Sequence, residues 1–338
     1  MHKFWDKRRE ILKQILTDLR NGIFASEELW TSCSLVPRNP ITGTKYKGAN
    51  RLVLALNQAK CGYEYNCWVT FKQLQSKGLK LKDAKGKGVT VGKYKIAEKR
   101  DKDTKEVIGS YPMYQSFTLF NLDLVESSPD EKAAIAGAKF VLEDNQYLPL
   151  ADSFIEASPF SFVESNIKEP EIDFDNRTIT IPDRRRFRTS ESFLSVVLHE
   201  LIKINLSLAK ETKEFPESYK NLSAQVGVLI AFAELGLRMS QEVREDCNSY
   251  IQFQLDEIAF NENSGVSLNL EEILSDEWRC KMLWSAIANA DKAYFSLFEK
   301  QSTNTSVECQ GTENVANTNS NQNATGLEFE LEEGDVSF

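Results

Sequence analysis

The sequence predicts an α+β protein in two unlike parts, a mixed α/β front half and an α-rich rear half, followed by an acidic tail. Three observations predict it. Apolar residues recur at three- and four-residue intervals near the start and again beyond Ser190, the period of helices buried on one face. Alternation between Val89 and Leu122 gives the two-residue period of strands. From Gln301 onward there is no Lys or Arg, and Asn, Thr, Ser and Gly dominate up to Gly326. Such a segment buries too little apolar surface to offset its chain entropy, which predicts disorder.

Taken in order, Trp5, Arg8, Ile11, Leu12, Ile15, Leu16 and Leu19 mark an amphipathic helix over 4–21 that Gly22 stops. Pro37, Asn39, Pro40, Gly43, Gly48 and Asn50 make 33–50 a loop. A helix is expected from Arg51 to about Ala59, a strand from Tyr65 to Thr70, and a short helix from Phe71 to Ser76. Lys77 to Lys87 reads as a basic turn. Two strands, Val89 to Ile96 and Tyr114 to Leu122, follow, with the charged Asp101 to Lys105 cluster as their hairpin loop. The front domain is placed at 1–126, a connection at 127–152, the rear domain at 153–299 and the tail at 300–338. In the rear domain, a strand edge is expected at Ile179 to Pro182. Helices are expected at Ser190 to Leu208 with Ser190 as N-cap, at Ser218 to Leu237, and over most of 240–298.

No stretch approaches the roughly 20 apolar residues of a membrane span, and Met1 to Arg9 is charged and aromatic rather than signal-like. No membrane partner and a cytoplasmic location are therefore expected. The six cysteines form no C-x-x-C pair, so free thiols in a reducing compartment are expected. The net charge of -9 hides an asymmetry: residues 1–110 hold 23 Lys and Arg against 11 Asp and Glu, leaving 18 against 39 for the rest. A basic front and an acidic rear suit a chain that meets a polyanion at one end.

Gripping single-stranded nucleic acid requires cations along a phosphate track and flat rings on which bases stack. Here Tyr46, Tyr63, Tyr65, Trp68, Phe71, Tyr94 and Tyr114 alternate with Arg38, Lys45, Lys47, Arg51, Lys72, Lys77, Lys80, Lys82, Lys85 and Lys87. Rings beside strands are more often core than platform, so the charge surplus carries this reading. The blocks Trp30, Pro37-Arg-Asn-Pro-Ile-Thr-Gly-Thr-Lys-Tyr-Lys-Gly-Ala-Asn50, Trp68-Val-Thr-Phe-Lys-Gln73, Gly78, Lys85-Gly-Lys87 and Leu119-Phe-Asn-Leu122 resemble the N-terminal domain of the ArdC family of antirestriction proteins. That resemblance implies non-specific single-stranded DNA binding. It nominates Asn39, Thr42, Lys45, Tyr46, Asn50, Trp68, Lys72, Lys80, Lys82, Lys85 and Lys87 as DNA-facing, with Arg38, Lys47, Arg51 and Phe71 beside them.

The same resemblance implies a zincin-like rear domain, in which H-E-x-x-H on a helix holds zinc through two imidazoles one turn apart. Here the motif reads His199-Glu-Leu-Ile-Lys203, and an ammonium offers no lone pair to a metal. The family's glutamate-rich third-ligand helix corresponds to Lys220-Asn-Leu-Ser-Ala-Gln225, which has lost its glutamates. His2 and His199 are the only histidines. A pseudo-metallopeptidase is therefore expected, with no catalytic residue, metal or cofactor, and with Glu200 pairing to Lys203. The tail closes with Phe329, Glu332, Glu333, Asp335 and Phe338, a hydrophobic-acidic tip suited to recruiting replication or transfer proteins.

Overall fold

A computed structural model describes residues 2–25, 36–102, 104–136, 147–261 and 264–308. The fold is α+β, as expected. The tail nominees Phe329 to Phe338 lie outside the described residues.

The first helix, α1 (His2–Arg20), buries Ile11, Leu12, Ile15, Leu16 and Leu19 at 2% exposure or less, so its apolar stripe faces the core. Gly22 ends it at φ 69°, where a side chain would be strained. The next helix, α2 (Gly48–Cys61), begins three residues before the sequence suggests. Its first turn has no side-chain cap of its own; the Gly48 N–H donates instead to the Asp291 carboxylate, far along the chain.

Strand β1 (Trp68–Thr70) leads into α3 (Phe71–Ser76), where Thr70 and Gln73 form a reciprocal capping box. Strands β2 (Val89–Arg100) and β3 (Val107–Asn121) make an antiparallel hairpin longer than its alternation implied, and the sheet order is β1-β3-β2. After α4 (Pro129–Ala136) and α5 (Tyr147–Glu156) come β4 (Ser161–Ser165), β5 (Glu171–Asp173) and β6 (Thr178–Pro182). Their order is β4-β6-β5, with β4 parallel and β5 antiparallel to β6. The strand expected as an edge is thus the central one, and its Ile179 and Ile181 are fully buried.

The rear half continues through α6 (Ser190–Leu208), α7 (Glu217–Glu234), α8 (Gln241–Ala259), the small hairpin β7 (Phe260–Asn261) and β8 (Val266–Ser267), α9 (Leu270–Ser275) and α10 (Glu277–Glu308). Thr189, not Ser190, caps α6 by accepting from the Ser192 N–H, because its extended backbone points the hydroxyl back at the first turn.

One hydrophobic cluster runs from Ile11 to Tyr294, joining α1 and α2 to α6 through α10. Helix α1 packs on α8, α9 and α10 as well as on α2, and Gln252 Nε2 donates to Leu19 O at 2.6 Å. The halves differ in charge but share a core. A second, smaller cluster of Cys67, Val69, Leu74, Leu122, Val125 and Ala136 underlies the basic turn.

Candidate nucleic-acid interface

The loop from Val36 to Lys47 is held from within by Asn39, 5% exposed. Its Oδ1 accepts from the N–H groups of Ile41 at 3.0 Å and Thr42 at 3.2 Å, an Asx turn, while its backbone N–H donates to Thr44 O at 2.8 Å. Its Nδ2 reaches Gln73 Oε1 at 3.0 Å, which fastens the loop to the start of α3. Tyr46, half-buried, donates its hydroxyl to Trp68 O at 3.1 Å, and burial raises its pKa. These bonds leave Thr42, Thr44, Lys45 and Lys47 on the outside.

Phe71 stands beside this loop at the first position of α3 and is 51% exposed, with Lys72 exposed next to it. Among the described residues no ring pairs with Phe71, and the capping box of Thr70 and Gln73 fixes the helix start that holds it out, so its face is open to solvent.

The basic turn follows the same logic. Leu79 and Leu81 pack inward on the small cluster, Leu81 bridges Val125, and Lys82 N–H donates to Leu124 O at 2.8 Å. Alternation then sends Lys80 and Lys82 outward, and Lys85 and Lys87 flank Gly86, whose φ of 75° turns the chain. None of these lysines has an ion-pair partner among the described residues.

Several nominees are corrected by their placement. Trp68 is 0% exposed, donates Nε1 to Asn66 Oδ1 at 2.6 Å and meets Tyr63 edge-on, so no base reaches it. Arg51, 2% exposed, is locked against Glu234 and Asp291. Asn39 positions the loop from below. Asn50 spends both ends of its amide on Gly92 of the outer strand β2, donating at 2.6 Å and accepting at 3.0 Å. Arg38 is half-buried and donates to Ala136 O. Lys45 pairs with Glu234 at 3.0 Å, and Lys47 lies 5.6 Å over the Phe295 ring. The exposed set is thus Thr42, Lys45, Lys47, Phe71, Lys72, Lys80, Lys82, Lys85 and Lys87. Gln73 was missed, although the Thr70-x-x-Gln73 spacing signals a capping box.

In the rear half, His199 is 8% exposed, shares a hydrogen bond of 3.0 Å between Nδ1 and Glu200, and packs edge-on against Tyr250. One turn later, Lys203 Nζ lies 2.5 Å from Glu217 Oε1. The expected Glu200–Lys203 pair is replaced, because Glu200 is turned to its neighbour His199. Across the cleft, Lys220 joins Lys203, Glu217, Ser207, Pro170, Ile172 and Phe174 around a volume of about 330 Å³. Gln225 is buried beside Cys247, whose thiol is pushed up to about 12 by burial.

Residues 6–120 match the family model of the N-terminal domain of anti-restriction factor ArdC. Over these residues the protein is similar to ArdC. Two crystal structures of the antirestriction ArdC protein from plasmid R388, one metal-free and one with Mn(II) bound, share its fold at a TM-score of 0.61 and 20% identity. The alignments cover 88% and 87% of this chain and 98% and 97% of theirs. Two Escherichia coli proteins named DNA primase TraC are 22% and 21% identical over 67% and 68% of this chain. The chain spans 17% and 23% of the length of those primases.

An ammonium stands one turn after His199, a second faces it from α7, and no group of three or more His, Cys, Asp or Glu among the described residues is arranged to hold an ion.

Proposed function

We propose that this protein binds single-stranded DNA without sequence preference, on behalf of a phage or mobile element, protecting the strand or presenting it during replication or transfer. One observation carries the reading: Phe71 is held exposed at the start of α3, which Gln73 fastens to the Val36–Lys47 loop, and the lysines that follow it in the chain are exposed as well. The ring supplies base stacking that tolerates any base, and the lysines supply phosphate contacts that read no sequence. Binding of a fluorescein-labelled oligonucleotide to the full chain should weaken steeply as salt rises, because each phosphate contact releases counterions. Absence of salt-sensitive binding would overturn the proposal.

The second reading is antirestriction, supported by the family match of residues 6–120 and by the name of the R388 relative. Plating efficiency of unmodified phage on restricting cells, with and without the protein, separates it from a replication role. We place the protein in the cytoplasm; no helix among the described residues is long and apolar enough to cross a membrane. The rear half we read as a scaffold without peptidase chemistry, supported by the two lysines at the ligand positions. The tail from Phe329 to Phe338 we assign to partner recruitment, on its composition alone.

A further inference from the structure

Strand β1 pairs with β3 over Leu119 to Asn121 only, so the rest of β2 and β3 forms a two-stranded ribbon. At its base, Val91 and Leu119 are 3% and 2% exposed; from Lys93 to Tyr114 every residue whose exposure is described is exposed or half-buried. The register fixes what shares a face: Lys93 is opposite Gln115, Lys95 opposite Met113, Ala97 opposite Tyr111 and Lys99 opposite Gly109.

This face carries three lysines and no acid, and none of the three has an ion-pair partner among the described residues. On the other face Glu98 pairs with Arg100, so the two sides differ in charge. Tyr111 is 48% exposed. Its cross-strand neighbour is the small Ala97, which leaves the ring uncovered, and Lys95 and Lys99 stand on either side of Ala97. Lysines two positions apart on a strand are separated by roughly 7 Å, near the step between phosphates of an extended single strand.

We propose that this face is a second contact for single-stranded nucleic acid, with Lys93, Lys95 and Lys99 on backbone phosphates and Tyr111 stacked on an unpaired base. The inference rests on the DNA-binding reading above and adds residues that the front-half motifs do not contain.

The test uses the full chain, a fluorescein-labelled oligothymidylate and a labelled duplex of equal length. The triple variant Lys93→Ala, Lys95→Ala, Lys99→Ala should lower the slope of log affinity against log salt by about 2, at ~0.7 per phosphate contact. Tyr111→Ala should weaken oligothymidylate binding by about tenfold or more, while Tyr111→Phe retains it. Arg100→Ala, on the other face, should leave the slope unchanged. Wild-type binding with unaltered affinity and slope in these variants overturns the ribbon contact alone. Equal loss on the duplex overturns the stacking role of Tyr111. A wild type that does not bind overturns both this proposal and the DNA-binding reading.

Discussion

Arg51 Nη1 stands 2.6 Å from Glu234 Oε1 with both side chains nearly sealed, at 3% and 8% exposure. The contact is an ion pair without hydrogen-bond alignment, and Asp291 completes it at 3.2 Å from Arg51 Nε. Burial pushes the Asp291 carboxyl up, with the guanidinium opposing that shift. Arg51→Ala would leave Asp291 without its guanidinium and Glu234 with only the exposed Lys45, and should cost about 3–5 kcal/mol in urea unfolding. Adding Glu234→Gln and Asp291→Asn to an Arg51→Met chain should restore part of that loss.

A chain cut after residue 126 should not fold alone. Such a cut strips Arg51 of its acids and exposes the stripe of α1 that packs on α8, α9 and α10. Far-UV circular dichroism and limited proteolysis should show a loosely structured fragment; a cooperative thermal transition would contradict this.

Two neighbouring rings should separate stability from binding. Trp68→Ala removes a fully buried ring and should cost about 3–5 kcal/mol of stability. Phe71→Ala should leave the urea midpoint nearly unchanged and weaken oligonucleotide binding by about 1–3 kcal/mol.

Alkaline pH should destabilise the fold. Cys247, Tyr114 and Tyr250 are each pushed up to about 12, chiefly by burial, from ordinary values of 9.0 and 10.0. Between the unfolded and folded values the unfolded chain has released protons that the native chain still holds, so stability falls as pH rises through that window. The urea midpoint should be lower near pH 10.5 than near pH 8. In the native protein at about pH 8.5, iodoacetamide should modify the exposed Cys61 and spare the buried Cys247, as peptide mass spectrometry would report.

Metal content tests the rear cleft. The purified protein should hold substoichiometric zinc by elemental analysis, and Lys203→His should not raise it to one ion per chain, because Lys220 and Gln225 stand at the positions where the family resemblance implies the third ligand. Stoichiometric zinc in the unaltered protein would show that other residues serve as donors.

Much of the architecture was legible because its periods are local. The α1 stripe, the α3 boundaries and the basic turn follow from spacing, caps and glycine. What escaped was decided at a distance. Trp68 and Phe71 are three residues apart, yet one is sealed and the other held out, because the strand-to-helix switch at Thr70 turns them to different sides. Arg51 read as a phosphate contact because its acids lie more than 180 positions downstream. The early start of α2 depends on Asp291, and the centrality of β6 on partners from both sides. On the ribbon, charge counting blurred the picture, since only the register separates its lysine face from the Glu98–Arg100 face.

The amide of Asn50 occupies both backbone groups of Gly92 on the outward side of β2. A foreign strand laid along that border would have to break both bonds before it could zip past Gly92. The border is thus closed at Gly92 to templated growth into fibres, beside the buried Val91 at the sheet's hydrophobic base.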